Sequence, residues 1–438
     1  AMEGPTPVSA LIHAATMVTA GVSMVSRSNA VFSRAPVALT AVAVIGTLTA
    51  IFAASIGIVQ TDIKKVLAYS TISQLGYMFL GCGVAAYSAG IFHLMTHAFF
   101  KALLFLSAGA VIHGLGGEQD MRYMGGLRKY MPYTFWCMTV ATFTIAGFPP
   151  FAGFFSKDEI LWRTYSSGQP ILWLIGVITA GMTAFYMFRL WFLTFFGEYR
   201  GPNPDTANHG QDPDTQHAAD EHAAHTGHAS HGHGTPHESP MVMIVPLMIL
   251  AVLSFIGGWV GVPKALGGSE RFDKFLAPVF QTTAEAAPHG EGAAATLGGA
   301  TEHEESTGTE LAFTGISVGV AVLGFLGAWY LYYKRTDLPG KISRSLGGLY
   351  TFVSNKYLVD EFYGAAVIKP ILLVSTNVFW KGVDATLIDG TINESAAGAQ
   401  QTSDAFRHMQ SGNIRSYAGW VAAGAAAVIA FMVWRSVR

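Results

Sequence analysis

Residues 92–105 read FHLMTHAFFKALLF, and how this run is taken decides the fold. His93, His97 and Lys101 recur every fourth residue, while most of their neighbours are apolar. Steps of four turn a helix by about 400°, so the three groups drift slowly around one face and climb roughly 12 Å. The apolar character extends over residues 88–113. A helix of that length spans a hydrocarbon core of about 30 Å. A charged group at that depth is costly and usually faces a cavity, a partner or a proton path. The run therefore poses the question of what three ionisable groups do on one stripe of a membrane helix.

The rest of the chain agrees with a membrane setting. Of 438 residues, 51% are hydrophobic and only 12% charged, and mean hydropathy is positive. A soluble globular protein carries about 25% charged residues. Nine candidate spans follow, at 6–25, 36–59, 64–86, 88–113, 131–165 (interrupted), 170–196, 240–262, 311–334 and 413–434. The expected fold is an all-α polytopic membrane protein of about nine transmembrane helices, one broken mid-membrane, with a long amphipathic helix before the last span. The net charge of -2 gives no reason to expect nucleic acid. Cys82 and Cys137 both lie in apolar runs and form no CxxC, so no zinc site, iron–sulfur cluster or disulfide framework is expected. GLGG at 114–117 does not complete a dinucleotide-binding fingerprint. The start, AMEGPTPVSA, lacks an initiator Met and a basic leader and reads as though cut in mid-protein.

Five regions are expected: a core over 1–200, a His-rich loop over 201–239, two further spans over 240–334 joined by a Gly/Ala/Glu-rich loop, an amphipathic segment over 345–410, and a final span over 413–434. The loops carrying Lys64 and Lys65, Arg122, Arg128 and Lys129, and Lys334, Arg335, Lys341 and Arg344 fall on one side by alternation, with the chain start. The positive-inside rule makes that side cytoplasmic, with Arg27, Arg34, Arg435 and Arg438 falling on the other. Both long loops, 201–239 and 263–310, read as solvated insertions. The His-rich one could instead bind metal, but no fixed ligand geometry is visible in it. In 345–410, apolar residues alternate with Lys369, Lys381, Asp384 and Asp389, too often for a spanning helix. A long helix along the membrane surface fits this pattern; two shorter helices with a linker are the alternative, favoured by Gly382 and Gly390.

Several further ionisable groups lie within or beside apolar runs. In TIAGFPPFAGFFSKDEILW (144–162), Gly147, Pro149, Pro150 and Gly153 interrupt the helix, and Lys157, Asp158 and Glu159 follow. Broken helices survive in membranes only where protein or water satisfies the freed backbone, and such breaks mark transporter ion sites. The blander alternative is a helix end followed by a capped surface helix. His13 sits one to two turns into an apolar helix and alone reads as a packing histidine. Asp62, Lys64 and Lys65 suit interfacial anchors, while Ser70, Thr71, Ser73 and Gln74 suit a polar path or interhelical hydrogen bonds. Arg189 is either buried or snorkels to an interface. Histidine passes protons near neutral pH, so His93, His97 and Lys101 read best as a relay. Metal ligation by HxxxH lacks acidic or Cys partners nearby.

The strings PTPVSALIHAATMVTAG, VQTDIKKVLAYSTISQLGYM, FHLMTHAFFKALLFLSAG and AGFFSKDEIL occur here in order. They resemble the L-type antiporter-like subunits of respiratory complex I, NADH–quinone oxidoreductase. The resemblance covers nearly the whole chain outside the two long loops. It implies inverted five-helix repeats, each with a broken helix carrying a buried charge. The chain would hold the last helix of the first repeat, the whole second repeat and the C-terminal extension, without the N-terminal half. By resemblance, Lys157 is the broken-helix lysine with Asp158 beside it, and His13 connects two half-channels. His93, His97 and Lys101 form a central polar axis flanked by Asp62 and Lys64. Segment 345–410 is a lateral helix along neighbouring antiporter-like subunits.

The function so implied is proton translocation coupled to quinone reduction in a bacterial inner membrane. No cofactor is bound by this chain; NADH, flavin, iron–sulfur clusters and quinone belong to partner subunits. The large subunit of a multisubunit cation/proton antiporter is the competing reading, and FSKDEIL with HLMTHAFFK weighs against it. A purely structural scaffold is a third, which the buried ladder disfavours.

Overall fold

The computed structural model describes residues 4–201, 235–280 and 307–437. The chain divides into two units, Ala1–Asn355 and Lys356–Arg438. The first unit opens with a helical run at Thr6–Arg27 (α1). It continues with α2 (Pro36–Val59), α3 (Ile63–Gly83), α4 (Tyr87–Gly114), α5 (Pro132–Ala146), α6 (Ala152–Ser166) and α7 (Pro170–Phe195). After the His-rich tract come α8 (Met241–Ile256), α9 (Thr307–Trp329) and α10 (Leu338–Ser354). Proline at the first turn starts α2, α5 and α7, where its missing N–H costs nothing and its fixed φ suits the helix.

Eight helices among the described residues are long and apolar enough to cross a membrane. Seven of them match expected spans; the eighth is Lys356–His408, read from sequence as a surface helix. The expected spans at 64–86 and 131–165 are helical but do not qualify alone. Lys64, Lys65 and a run of hydroxyls dilute α3, and α5 and α6 are 15 residues each. Both nevertheless pack within the bundle.

Helices α2 and α3 approach closely through small residues. A Cβ on Gly76 would lie 2.5 Å from the Gly46 carbonyl oxygen and 2.6 Å from the Ala50 nitrogen. Membrane helices associate by such backbone-to-backbone packing, because burial against lipid supplies no hydrophobic drive. A larger core joins α4, α5 and α7, with Phe100, Leu104, Met138 and Phe188 all fully buried. Phe188 meets Phe143 of α5 at 5.0 Å and Phe325 of α9 at 4.7 Å, edge to face in both cases.

Three basic side chains hold backbone carbonyls at one end of the bundle. Lys64 Nζ donates to the Gly4 carbonyl at 2.9 Å, and Arg189 Nη1 to the Gln60 carbonyl at 2.7 Å. Arg200 Nη2 donates to the Met121 carbonyl at 3.1 Å. Arg189 is therefore buried, 6% exposed, and holds the carbonyl of Gln60, the C-cap residue of α2. A cation there meets the negative end of the helix dipole.

Most of the His-rich tract lies outside the described residues, as does 281–306. The described edges are more ordered than a solvated insertion. Glu238 caps α5, accepting from the Tyr133 amide at 2.9 Å and Thr134 Oγ1 at 2.6 Å. Residues 271–280 form a short helix, Arg271–Phe280, with Phe272 against Phe92 at 5.1 Å and Phe280 stacked on Tyr87 at 5.6 Å. Aromatic residues in the loop gave it something to bury, which the surrounding Gly- and Glu-rich composition masked.

The second unit is a continuous helix over 359–409 (α11) and a final helix, Ile414–Ser436 (α12). Lys356, Tyr357 and Leu358 all take left-handed φ, which separates α11 from α10. The long helix therefore starts at Val359, later than 345, and α10 is a distinct kinked helix with a non-helical Gly347. Gly382 and Gly390 do not break α11; a π-helical stretch, Ser375–Ile388, carries the chain past the first.

Candidate functional site

The break between α5 and α6 is built by local chemistry. Gly147 adopts φ 82°, ψ 36° just past Ala146. Its amide bonds the Thr144 carbonyl at 3.1 Å, and the Phe148 amide bonds the Phe143 carbonyl at 3.2 Å. These two bonds form a Schellman motif, with Phe148 stacking edge-on to Phe143 at 5.2 Å as its apolar contact. Pro149 and Pro150 then prevent continuation. Helix α6 restarts at Ala152 so close to the end of α5 that a Cβ on Gly153 would collide with the Thr144 carbonyl. Trp259 Nε1 satisfies the Pro150 carbonyl at 3.1 Å.

This geometry aims Ser156 and Lys157 into the bundle. Lys157 is 4% exposed, and its Nζ sits 4.8 Å from the centroid of the Tyr77 ring on α3. That Nζ has no hydrogen-bond partner among the described residues. One residue earlier, Ser156 Oγ lies 2.9 Å from His93 Nδ1 and 2.7 Å from Thr96 Oγ1, both on α4. The other ring nitrogen of His93, Nε2, lies 3.1 Å from Gln74 Oε1 on α3. With Gln74 so oriented, Nε2 carries the proton and Nδ1 accepts from Ser156. One histidine thus joins α3, α4 and the broken helix.

The ladder continues along α4 as its spacing implied. His93 and His97 have ring centroids 6.3 Å apart, and the edge of Phe100 meets His97 at 5.3 Å. Lys101 is fully buried, and its Nζ donates to the Leu67 carbonyl at 3.3 Å. Tyr186 on α7 donates to Ser70 Oγ at 3.0 Å. Ser73 and Gln74 of α3, Ser107 of α4 and Thr142 of α5 carry buried polar atoms without partners among the described residues. Buried groups of this kind are costly in an apolar setting unless water reaches them.

Asp62, Lys64 and Asp158 sit outside the ladder. Asp62 caps α3, accepting from the Lys64 and Lys65 amides at 2.8 and 3.1 Å. Lys64 reaches the chain start rather than the ladder. Asp158 lies a third of a helical turn round from Lys157 and accepts from Thr314 Oγ1 of α9 at 2.6 Å. The backbone of His13 lies in the helical turn Ala10–Ala15, and its side chain is outside the described residues. At the far end, Glu159 pairs with Arg163 at 2.7 Å, and Arg163 with Asp273 at 3.8 Å. A small cavity there is lined by Phe92, Glu159, Glu270 and Asp273.

Ser156 and Tyr77 were not singled out from the sequence. Ser156 adjoins Lys157 in FSKDE, but no periodicity says which helix it faces. Among the described residues no group of three or more metal-ligating side chains occurs.

The family model described as NADH:quinone oxidoreductase/Mrp antiporter, TM, matches residues 1–183, the part that holds the ladder and the broken helix. The chain is 42% identical to NAD(P)H-quinone oxidoreductase chain 5 of Synechocystis sp., over 95% of this chain and 60% of that protein. It is 40% identical to NADH-quinone oxidoreductase subunit L of Neisseria meningitidis, over 100% of this chain and 62% of that protein. Among solved structures, the Mrp complex from Dietzia sp. matches with a TM-score of 0.52 and 26% identity, covering 90% of this chain and 38% of that one. The chain thus spans about three fifths of the curated relatives it matches.

Proposed function

We propose that this chain, a homologue of the L-type antiporter-like subunits of NADH–quinone oxidoreductase, carries protons across a membrane through His93, His97, Lys101 and Lys157. The observation that carries the reading is the His93–Ser156 contact at 2.9 Å, which joins the α4 ladder to the broken helix beside Lys157. Lys157 has no protein acceptor in reach among the described residues, so water is its natural partner and a proton on it is free to move on. Like charges in a low-dielectric core repel. Charge on Lys157 therefore disfavours charge on His93, and charge on Lys101 disfavours charge on His97. Protons advance by shifting one charge along the chain, with buried hydroxyls and water between. Asp158 holds α6 to α9 and fixes the aim of its neighbour. Asp62 and Lys64 hold the end of α3, a supporting role beside the path rather than a station on it; His13 extends the path toward a preceding half-channel.

Redox chemistry, with NADH, flavin, iron–sulfur clusters and quinone, belongs to partner subunits. The basic end faces the cytoplasm of a bacterium, and α11 lies along neighbouring antiporter-like subunits. A cation/proton antiporter role is favoured by the Mrp likeness at 26% identity; quinone oxidoreductase relatives at 40–42% favour the first reading.

The test is Lys157→Ala in the assembled complex, followed by proton uptake into inverted membrane vesicles during NADH oxidation. The expected outcome is normal assembly with pumping reduced roughly a hundredfold or more, since one positioned proton-transfer group contributes about 10²–10⁴-fold. Normal pumping by the assembled variant overturns the role.

A further inference from the structure

The geometry points to a transition-metal site at the basic end of the bundle, formed by His113 of α4 and His237 of the segment leading into α8. The two rings have centroids 5.7 Å apart and stand at 69° to each other. Two imidazoles on one ion, each with a metal–nitrogen distance of about 2.1 Å and a tetrahedral angle between them, put their centroids roughly 5.2 Å apart. The observed separation is within half an ångström or so of that value. Both side chains are exposed at the end of the bundle, so an ion reaches them without opening the fold.

The approach of the rings is set by contacts that do not involve them. The His237 amide donates to the Gly114 carbonyl at 3.4 Å. The next two residues are pinned as well, Glu238 onto the start of α5 and Ser239 Oγ onto the Ala110 carbonyl at 3.3 Å. Gly114 itself has to be glycine here, because a Cβ would strike the His237 carbonyl and come within 2.8 Å of the Met131 side chain. With their backbones fixed by these contacts, the two ligands lose chiefly side-chain freedom on binding. Imidazole suits Zn²⁺, Ni²⁺ and Cu²⁺, with Cu²⁺ bound most tightly. Two protein ligands leave the remaining positions to water, an open and exchangeable site rather than a structural one. An ion there ties the connector to the end of α4, the helix that carries the ladder. Eight of the fifteen histidines in the chain fall between 209 and 237, so the pair must be tested apart from its neighbours in sequence.

The test uses the full chain in detergent with the seven histidines at 209–233 replaced by Gln. Cu²⁺ is titrated and followed by electron paramagnetic resonance, and Zn²⁺ by the shift in Tm. One equivalent of Cu²⁺ with nitrogen ligation, and a Tm raised by Zn²⁺, are expected. His113→Gln and His237→Gln, each made on that background, should weaken Cu²⁺ binding roughly a hundredfold, since chelation by two tethered groups gains about that much over one. Each should also abolish the Zn²⁺ shift while leaving the metal-free Tm unchanged. Absence of nitrogen-ligated Cu²⁺ in the background protein overturns the site, as does binding that survives either substitution. The readouts need no NADH oxidation, so the result is independent of the proton path.

Discussion

At the scale of single residues, the site depends on which side chains share hydrogen bonds. His93 and Ser156 are in direct contact, and Ser156 also meets Thr96. Substitutions at groups that act as a unit are non-additive. His93→Gln and Ser156→Ala should each slow vesicle proton uptake several-fold with assembly intact. The double variant should be little worse than the poorer single one. Fully additive losses would mean that the two residues serve separate structural ends. The ladder itself was legible: helical spacing and an apolar surround put His93, His97 and Lys101 on one face, and all three are buried. Ser156 was not, because its importance lies in facing α4 across the bundle. The roles expected of Asp62 and Lys64 came from sharing a motif with the path. Their side chains are drawn to nearer partners, amides at an open helix start and a carbonyl at the chain start.

At the scale of elements, the broken helix was written plainly in TIAGFPPFAGFFSKDE. A left-handed glycine, two prolines and a small residue at the restart are what a helix stop followed by a tight restart require. Gly153 is the sensitive position, since any side chain meets the Thr144 carbonyl. Gly153→Val should cost about 1–3 kcal/mol through overpacking. It should lower Tm and pull Lys157 away from the Tyr77 ring, reducing pumping as well. Gly315 in α9 has nothing within 4 Å of an added Cβ. Gly315→Ala should leave pumping unchanged and raise Tm slightly, a gain of about 1 kcal/mol at most from helix propensity. Equal effects of the two substitutions would refute the packing account of the break. Helix α11 starts at Val359 rather than 345 although 345–354 is also amphipathic. Nothing in its composition announces three successive left-handed residues at 356–358.

At the scale of the whole molecule, the disposition of α11 in the membrane is the open physical contest. By length and composition, Lys356–His408 qualifies as a span. Residues 361–380 carry only Glu361 and Lys369 among charged groups, so that portion alone could enter lipid. The remainder could not: Lys381, Asp384 and Asp389 follow within nine residues. Each charge near the centre of a membrane helix costs about 2.5–3.5 kcal/mol on insertion scales. A helix over 359–409 is on the order of 70 Å long, more than twice the hydrocarbon thickness. If 361–380 crossed the membrane, the rest would project as a bare helix carrying Leu387, Ile388 and Ile392, each at least 45% exposed. A helix lying along the surface of neighbouring subunits avoids both costs, since its apolar side meets protein and lipid while its charges reach water. The two arrangements differ in where the ends emerge. Cysteines at Asp360 and Gln401, introduced singly into the assembled complex, should both react with a membrane-impermeant maleimide added to the same side of sealed vesicles. Cysteines between them should crosslink to more than one neighbouring subunit. Labelling of the two ends from opposite sides would establish a span, and the lateral arrangement would then be wrong however amphipathic the sequence.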